Sequence, residues 1–292
     1  MTAALRAHWP EYLIEAAGLG AFMVSACAFG VLLFHPGSAA YAALGNDLAR
    51  RVVMGLAMGG TAVAIIYSPW GQRSGAHINP STTLAFLRLG KVTRADAAFY
   101  VAAQFAGATA GVAISWAFLG SRLAHPAANF VATVPGPSGV VVAFGAEVAI
   151  SFLLMTVVLS VSSSRFQRLT GLCAGALVAL YITFEAPISG MSMNPARSFG
   201  SAVFAADAIA SLWIYFLAPP LGMLLASVLV PARARRGCAK LDHPPDRPCI
   251  FCGQGRGTQS PPATGQLRVA RSQERSMAIH AGLSNVAAET EP

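Results

Sequence analysis

Two short stretches of the chain place polar chemistry among apolar residues. Gly75 to Phe86 reads GAHINPSTTLAF, and Gly190 to Gly200 reads GMSMNPARSFG. Asparagine is a preferred N-cap, and proline suits the first helical position, whose N–H would have no intrahelical partner anyway. Asn79-Pro80-Ser81 and Asn194-Pro195-Ala196 therefore each start a helix, predicted over about 80–88 and 195–204. Each helix start carries roughly half a unit of positive charge, so two starts facing one another repel cations. Arg197, three residues past Asn194, adds a charge that does not deprotonate. The side-chain amides of Asn79 and Asn194 offer N–H donors. Acting together, they hold a water by its oxygen and turn its hydrogens outward, which interrupts the hydrogen-bonded wire that a proton needs.

The remaining elements must bring these two stretches to the same depth. The chain has 292 residues, 55% of them hydrophobic and 11% charged, with a mean hydropathy of +0.57. Soluble domains carry about 25% charged residues, so this is a membrane composition. Apolar runs at about 11–34, 50–68, 96–119, 139–161, 170–186 and 211–230 are near the 20 or so residues that a span requires. Gln104 and Pro219 each lie 25 positions past the corresponding asparagine, and Gly107 and Gly222 each lie 28 past it. Glu15 and Glu147 occupy matching places in the first and fourth spans. Each half thus holds three spans, so the second copy must cross the bilayer in the opposite sense. The expected fold is an all-α membrane protein of six transmembrane helices plus two re-entrant half-helices in an inverted three-helix repeat. At 1.5 Å per residue each half-helix covers about 13 Å, and the pair covers roughly the 30 Å core. Non-helical backbone at that depth is tolerated where it lines a watery cavity.

Charge sets the expected orientation. Arg233, Arg235, Arg236 and Lys240 follow the last span, and Arg165 and Arg168 lie between the fourth and fifth. These place both termini in the cytoplasm, against which Arg50 and Arg51 stand as exceptions. The net charge of +8 is read as a membrane anchor, with no nucleic-acid partner. The first apolar run is too long for a cleavable signal and carries Glu15. Residues 1–10 are expected as a cytoplasmic N-terminus, 11–230 as the channel domain (repeats about 11–119 and 139–230), and 231–292 as a polar, largely disordered cytoplasmic tail.

SGAHINPS (Ser74 to Ser81) and MNPARS (Met193 to Ser198) resemble the paired signature motifs of the major intrinsic proteins, the aquaporins and glycerol facilitators. The resemblance covers about 11–230 and implies one pore per subunit in a homotetramer of the plasma (inner) membrane; an Arg and half-helix dipoles excluding cations and protons are part of the general account of such pores. Ser81 departs from the usual alanine without affecting the cap. Carried across by distance from the motifs, the resemblance puts the selectivity filter at Gly59, Ile182, Met191 and Arg197, a wide site with an apolar wall. Glu15 and Glu147 become acceptors for the backbone of the re-entrant loops, and His77 lines the pore through its backbone. Ser198, where facilitators commonly have Asp, and the pair Tyr215-Phe216 point instead to water-type members.

The implied function is a passive channel for water and small uncharged solutes such as glycerol, urea or neutral metalloid hydroxides. The alternatives are a strictly water-selective channel, an ion-coupled secondary transporter using Glu15 and Glu147, and a membrane protein that keeps the fold without conducting. No catalytic constellation is evident, so an enzyme and a cofactor are not expected. In the tail, Cys238, His243, Cys249 and Cys252 include a C-x-x-C and can be read either as a tetrahedral zinc site or as a floppy segment that happens to hold cysteines.

Overall fold

The computed structural model describes residues 2–243 and 249–253. The chain divides into two units, residues 1–244 with 250–252, and residues 245–249 with 253–292; the architecture below belongs to the first. The expected disorder of the distal tail lies outside the described residues.

Six helices among the described residues are long and apolar enough to cross a membrane. With the two half-helices, the elements in chain order are α1 (Thr2–Phe34), α2 (Asp47–Tyr67), α3 (Pro80–Arg88), α4 (Arg94–Leu119), α5 (Val140–Ser162), α6 (Thr170–Phe184), α7 (Pro195–Ala202) and α8 (Leu212–Leu229). The fold is the inverted repeat of three spans and one half-helix. α1 begins and α8 ends on one face, called here the terminal face. Trp9 and Trp70 sit exposed toward that face, and Trp116 and Trp213 toward the opposite one. Indole rings in such pairs favour the two membrane–water interfaces.

Packing follows the repeat. α1 runs along α4 as α5 runs along α8, and α2 packs on α6 across the pseudo-axis. The half-helices are exchanged, so that α3 of the first repeat packs on α8 and α7 of the second packs on α4. Two matched glycines allow the close crossings. A Cβ at Gly107 would lie 2.0 Å from the Ala16 carbonyl oxygen, and one at Gly222 would lie 2.3 Å from that of Val148. Small residues at crossings replace the hydrophobic drive that lipid surroundings remove.

Arg50 and Arg51, exceptions to the charge rule, have local partners. Arg50 donates to the carbonyls of Tyr41 (3.3 Å) and Leu44 (3.1 Å) and pairs with Asp47, while Arg51 donates to the Thr183 carbonyl at 3.0 Å. They bind loop and helix-end carbonyls on the face opposite the termini.

Candidate functional site

Each half-helix is capped as its sequence dictates. The Asn79 side-chain oxygen accepts from the Ser81 N–H at 2.8 Å, and that of Asn194 accepts from the N–H groups of Ala196 (3.1 Å) and Arg197 (3.2 Å). Pro80 and Pro195 fill the first helical positions. The side-chain nitrogens then cross between repeats. Asn79 Nδ2 donates to the Met193 carbonyl and Asn194 Nδ2 to the Ile78 carbonyl, both at 2.7 Å. One hydrogen of each amide is therefore spent locking the two loops together. The cross-repeat bonds are an addition to the sequence analysis, which expects one donor from each asparagine to meet a passing water; each amide has a second hydrogen beyond its cross-repeat bond.

The loops leading into the half-helices have matched backbones. Gly75 and Gly190 have φ of 97° and 84°, Ala76 and Met191 of 51° and 50°, and Ile78 and Met193 of 38° and 53°. Left-handed backbone in non-glycine residues costs about 1–3 kcal/mol each and persists only where the surroundings impose it. Here the imposing groups are two fully buried carboxylates. Glu15 accepts four bonds, from Ser74 Oγ (2.8 Å), His77 N (3.1 Å), Ile78 N (2.6 Å) and Gln104 Nε2 (2.8 Å). Glu147 accepts three, from Ser189 Oγ (3.0 Å), Ser192 N (2.6 Å) and Met193 N (2.8 Å). Every partner is a donor, which suits an acceptor-only carboxylate. Tyr100 and Tyr215 complete the frame by donating to the carbonyls of Ser74 (2.7 Å) and Ser189 (2.5 Å). The sequence reading overlooked Ser74, Ser189 and Tyr100, although each pair is offset by 115 positions, as the two asparagines are. Tyr215 is thereby a scaffold residue, and its partner Phe216 packs on Phe105 and Phe199.

A cavity of about 510 Å³ runs between the repeats. Its wall extends from Asp47 and Arg51 at one end, past Asn79 and Asn194, to Ile66 and Leu241 at the other. Arg51 and Ile66 are 15 residues apart on α2, roughly 22 Å of helix. Arg197, Met191 and Ile182 line this wall. Nη1 of Arg197 is buried without a hydrogen-bond partner among the described residues.

Gly59 is placed differently. Its Cβ direction points at the Gly175 carbonyl oxygen, which a side chain would approach to 2.4 Å, so it belongs to the α2–α6 crossing. The cavity face of α2 is Met54, Met58, Ala62 and Ile66. A single residue of slip turns a helical position by about 100° (3.6 residues per turn), enough to exchange the packed face for the open one. The corresponding wall residue is Met58, in one cluster with Met54 and Ile182. The site is accordingly narrower than a glycine there would make it.

His77 lines the cavity, but its ring is fully engaged. Nδ1 meets Thr83 Oγ1 at 3.1 Å, Nε2 meets the Ala239 carbonyl at 2.6 Å, and the ring stacks on Phe86 and Phe251. Ser198 joins a hydroxyl chain with Ser192 (2.5 Å) and Thr133 (2.6 Å). Of the tail residues, Cys238, His243 and Cys252 are brought together; Cys249 lies in the second unit.

Six spans, two opposed half-helices and a lengthwise cavity at their junction define a multi-pass membrane channel. The sequence profile of the major intrinsic protein family matches residues 7–230, and the chain belongs to that family. It is similar to Aquaporin NIP2-3 of Zea mays, at 34% identity over 70% of this chain and 67% of that protein. It is also similar to Glycerol uptake facilitator protein-like 6 of Lactiplantibacillus plantarum, at 35% identity over 74% of this chain and 94% of that protein. Among solved structures, the aquaglyceroporin from Plasmodium falciparum shares the fold, with a TM-score of 0.60 at 20% identity over 76% and 94% of the two chains.

Proposed function

We propose that the protein is a passive channel for water and small uncharged solutes (glycerol, urea or neutral metalloid hydroxides) that excludes protons and ions. One observation carries the reading: Asn79, Asn194 and Arg197 all border the same lengthwise cavity. Each asparagine has a second amide hydrogen beyond its cross-repeat bond, and Arg197 brings its fixed charge to the same wall. The same cavity is also lined by Met54, Met58, Met191 and Ile182. A solute with a hydroxyl on one side and carbon on the other satisfies both kinds of lining.

The carboxylates that an ion-coupled transporter would require, Glu15 and Glu147, are committed to loop N–H groups, which favours passive flow. The proposal includes cytoplasmic termini, a plasma-membrane homotetramer and 11–230 as the channel domain, supported by the positive charge of the loops on the terminal side. Stopped-flow swelling of proteoliposomes, run side by side with water, glycerol and boric acid, tests the function. Rapid flux with no ion gradient is expected for all three. Uptake only under an imposed ion gradient overturns the passive reading, and water flux alone reduces it to a water channel.

A further inference from the structure

The tail segment after α8 carries a second site. Ligand atoms of Cys238, His243 and Cys252 lie within 4.8 Å of one another, and His243 Nε2 is already 3.1 Å from Cys252 Sγ. Zinc bonds to sulfur and imidazole nitrogen are about 2.0–2.3 Å long, which puts ligands of one tetrahedral ion roughly 3.3–3.8 Å apart. The cluster is thus close to bonding geometry before any ion draws it in. Three such ligands hold a tetrahedral ion and leave its fourth position to water or another donor. Thiolates with an imidazole select a thiophilic, tetrahedral divalent ion over magnesium or calcium.

The same segment lies across the terminal-face end of the cavity. Gly237 N–H donates to Ser163 Oγ (2.8 Å), Lys240 Nζ to the Gln72 carbonyl (2.7 Å) and Leu241 N–H to the Gly75 carbonyl (3.1 Å). Gln72 Nε2 donates to Asp242 Oδ2 at 2.9 Å. The Ala239 carbonyl is bonded to His77, and Phe251 lies parallel on the His77 ring at 5.5 Å. Ala239 is fully buried, and Leu241 is part of the cavity wall. A segment this short buries too little apolar surface to hold itself in place, and such segments ordinarily need a staple.

We propose that Cys238, His243 and Cys252 hold one zinc-class ion, and that this ion clasps Ala239–Leu241 and Phe251 over the terminal-face mouth of the cavity. Binding releases the thiol protons to solvent, so the clasp weakens on acidification as well as on chelation. Its effect on flux rests on the channel reading above; its metal chemistry does not.

The test uses the full-length protein, purified and reconstituted. Metal content is measured as isolated, after chelator, and after zinc is returned, and cobalt replacing zinc reports thiolate ligation by its absorption. One ion per chain is expected, lost in Cys238→Ser and Cys252→Ser. Chelation should raise water permeability severalfold, and returned zinc should reverse the rise, a comparison within wild type that needs no variant to fold. Leu241→Ala, outside the ligand set, should keep the ion and still swell faster. The clasp is overturned if the protein holds no thiolate-bound metal, if the cysteines form a disulfide instead, or if flux is the same with and without the ion. If no sample swells faster than empty vesicles, the channel reading fails, and the metal stoichiometry alone then decides the ligand set.

Discussion

The two re-entrant loops are nearly superimposable in chemistry up to their asparagines and diverge immediately after them. Before that point, Ser74 matches Ser189, Gly75 matches Gly190, and the left-handed residues, the buried glutamate and the tyrosine bond all recur. Beyond it, Thr82 of the first loop stands where the second has Arg197, both in the cavity wall. On the loop itself, His77 is held by the tail, whereas its counterpart Ser192 bonds Ser198 and the Asn194 carbonyl. The difference separates two kinds of work. Positions that repeat build the frame, because an inverted repeat needs the same frame twice. Positions that do not repeat give the passage its two unlike ends, one with a fixed charge and one covered by the tail.

The frame should break symmetrically, and this is the largest effect expected. In Glu15→Gln or Glu147→Gln an NH₂ group must face backbone N–H groups that the carboxylate now accepts. Each orphaned buried N–H costs about 1–3 kcal/mol. The alanine variants orphan three or four donors and should yield little folded protein. Thermal unfolding in detergent should give both glutamine variants similar losses. A loss confined to one of them would mean that the two loops are not held alike.

The asymmetric charge comes next. Arg197→Ala should leave folding intact, since its backbone N–H still reaches Asn194 Oδ1, while removing the charge from the wall. Proton or cation leak should rise in liposomes under a voltage, with water flux retained. Unchanged ion currents would move the barrier to the half-helix starts alone. Thr82→Ala, at the matching position, should leave ion exclusion as it is.

Much of this frame was legible in the sequence because it rests on spacing. The Asn-Pro steps, the two glutamates and the six apolar runs are local or periodic signals, and they led to both half-helices and the inverted order. The helix faces were less legible. Gly59 was assigned to the wall because distance along the chain fixes depth but not rotation, and rotation is decided by which neighbour packs where. The cross-repeat bonds of Asn79 and Asn194 were hidden too. They depend on left-handed backbone at Ala76, Ile78, Met191 and Met193, residue types that carry no such preference. In the tail, cysteine spacing suggested a metal, but nothing in the sequence connected Phe251 with His77.

A smaller effect sharpens the wall. Met58→Ala should raise glycerol permeability relative to water, because it removes bulk from the cavity wall where Met58 packs with Ile182. Gly59→Ala should leave that ratio unchanged and instead lower stability by about 1–3 kcal/mol, the usual range for overpacking, as its Cβ meets the Gly175 carbonyl oxygen at 2.4 Å. Swelling rates for the two solutes and a melting curve for each variant decide the matter. The opposite assignment of effects would return Gly59 to the filter.

The smallest effect concerns the third residue of the Asn-Pro-Ser and Asn-Pro-Ala triplets. Ser81 occupies the position of Ala196, and both are fully buried. The capping bond at this position runs from the backbone N–H to Asn79 and does not involve the side chain. The Ser81 hydroxyl oxygen is buried with no hydrogen-bond partner among the described residues. A buried hydroxyl that makes no bond is a desolvation cost with no return, so Ser81→Ala should be neutral or stabilising by up to about 1 kcal/mol. Ala196→Ser, placing the same hydroxyl in the second motif, should cost about as much as the first gains. Melting temperatures of the pair, with water flux as the companion measurement, are sufficient to read this. A drop in stability or flux in Ser81→Ala would show that its hydroxyl contacts the permeating molecule or a bound water, and Ser81 would then join Thr82 and Arg197 among the positions that make the two ends differ.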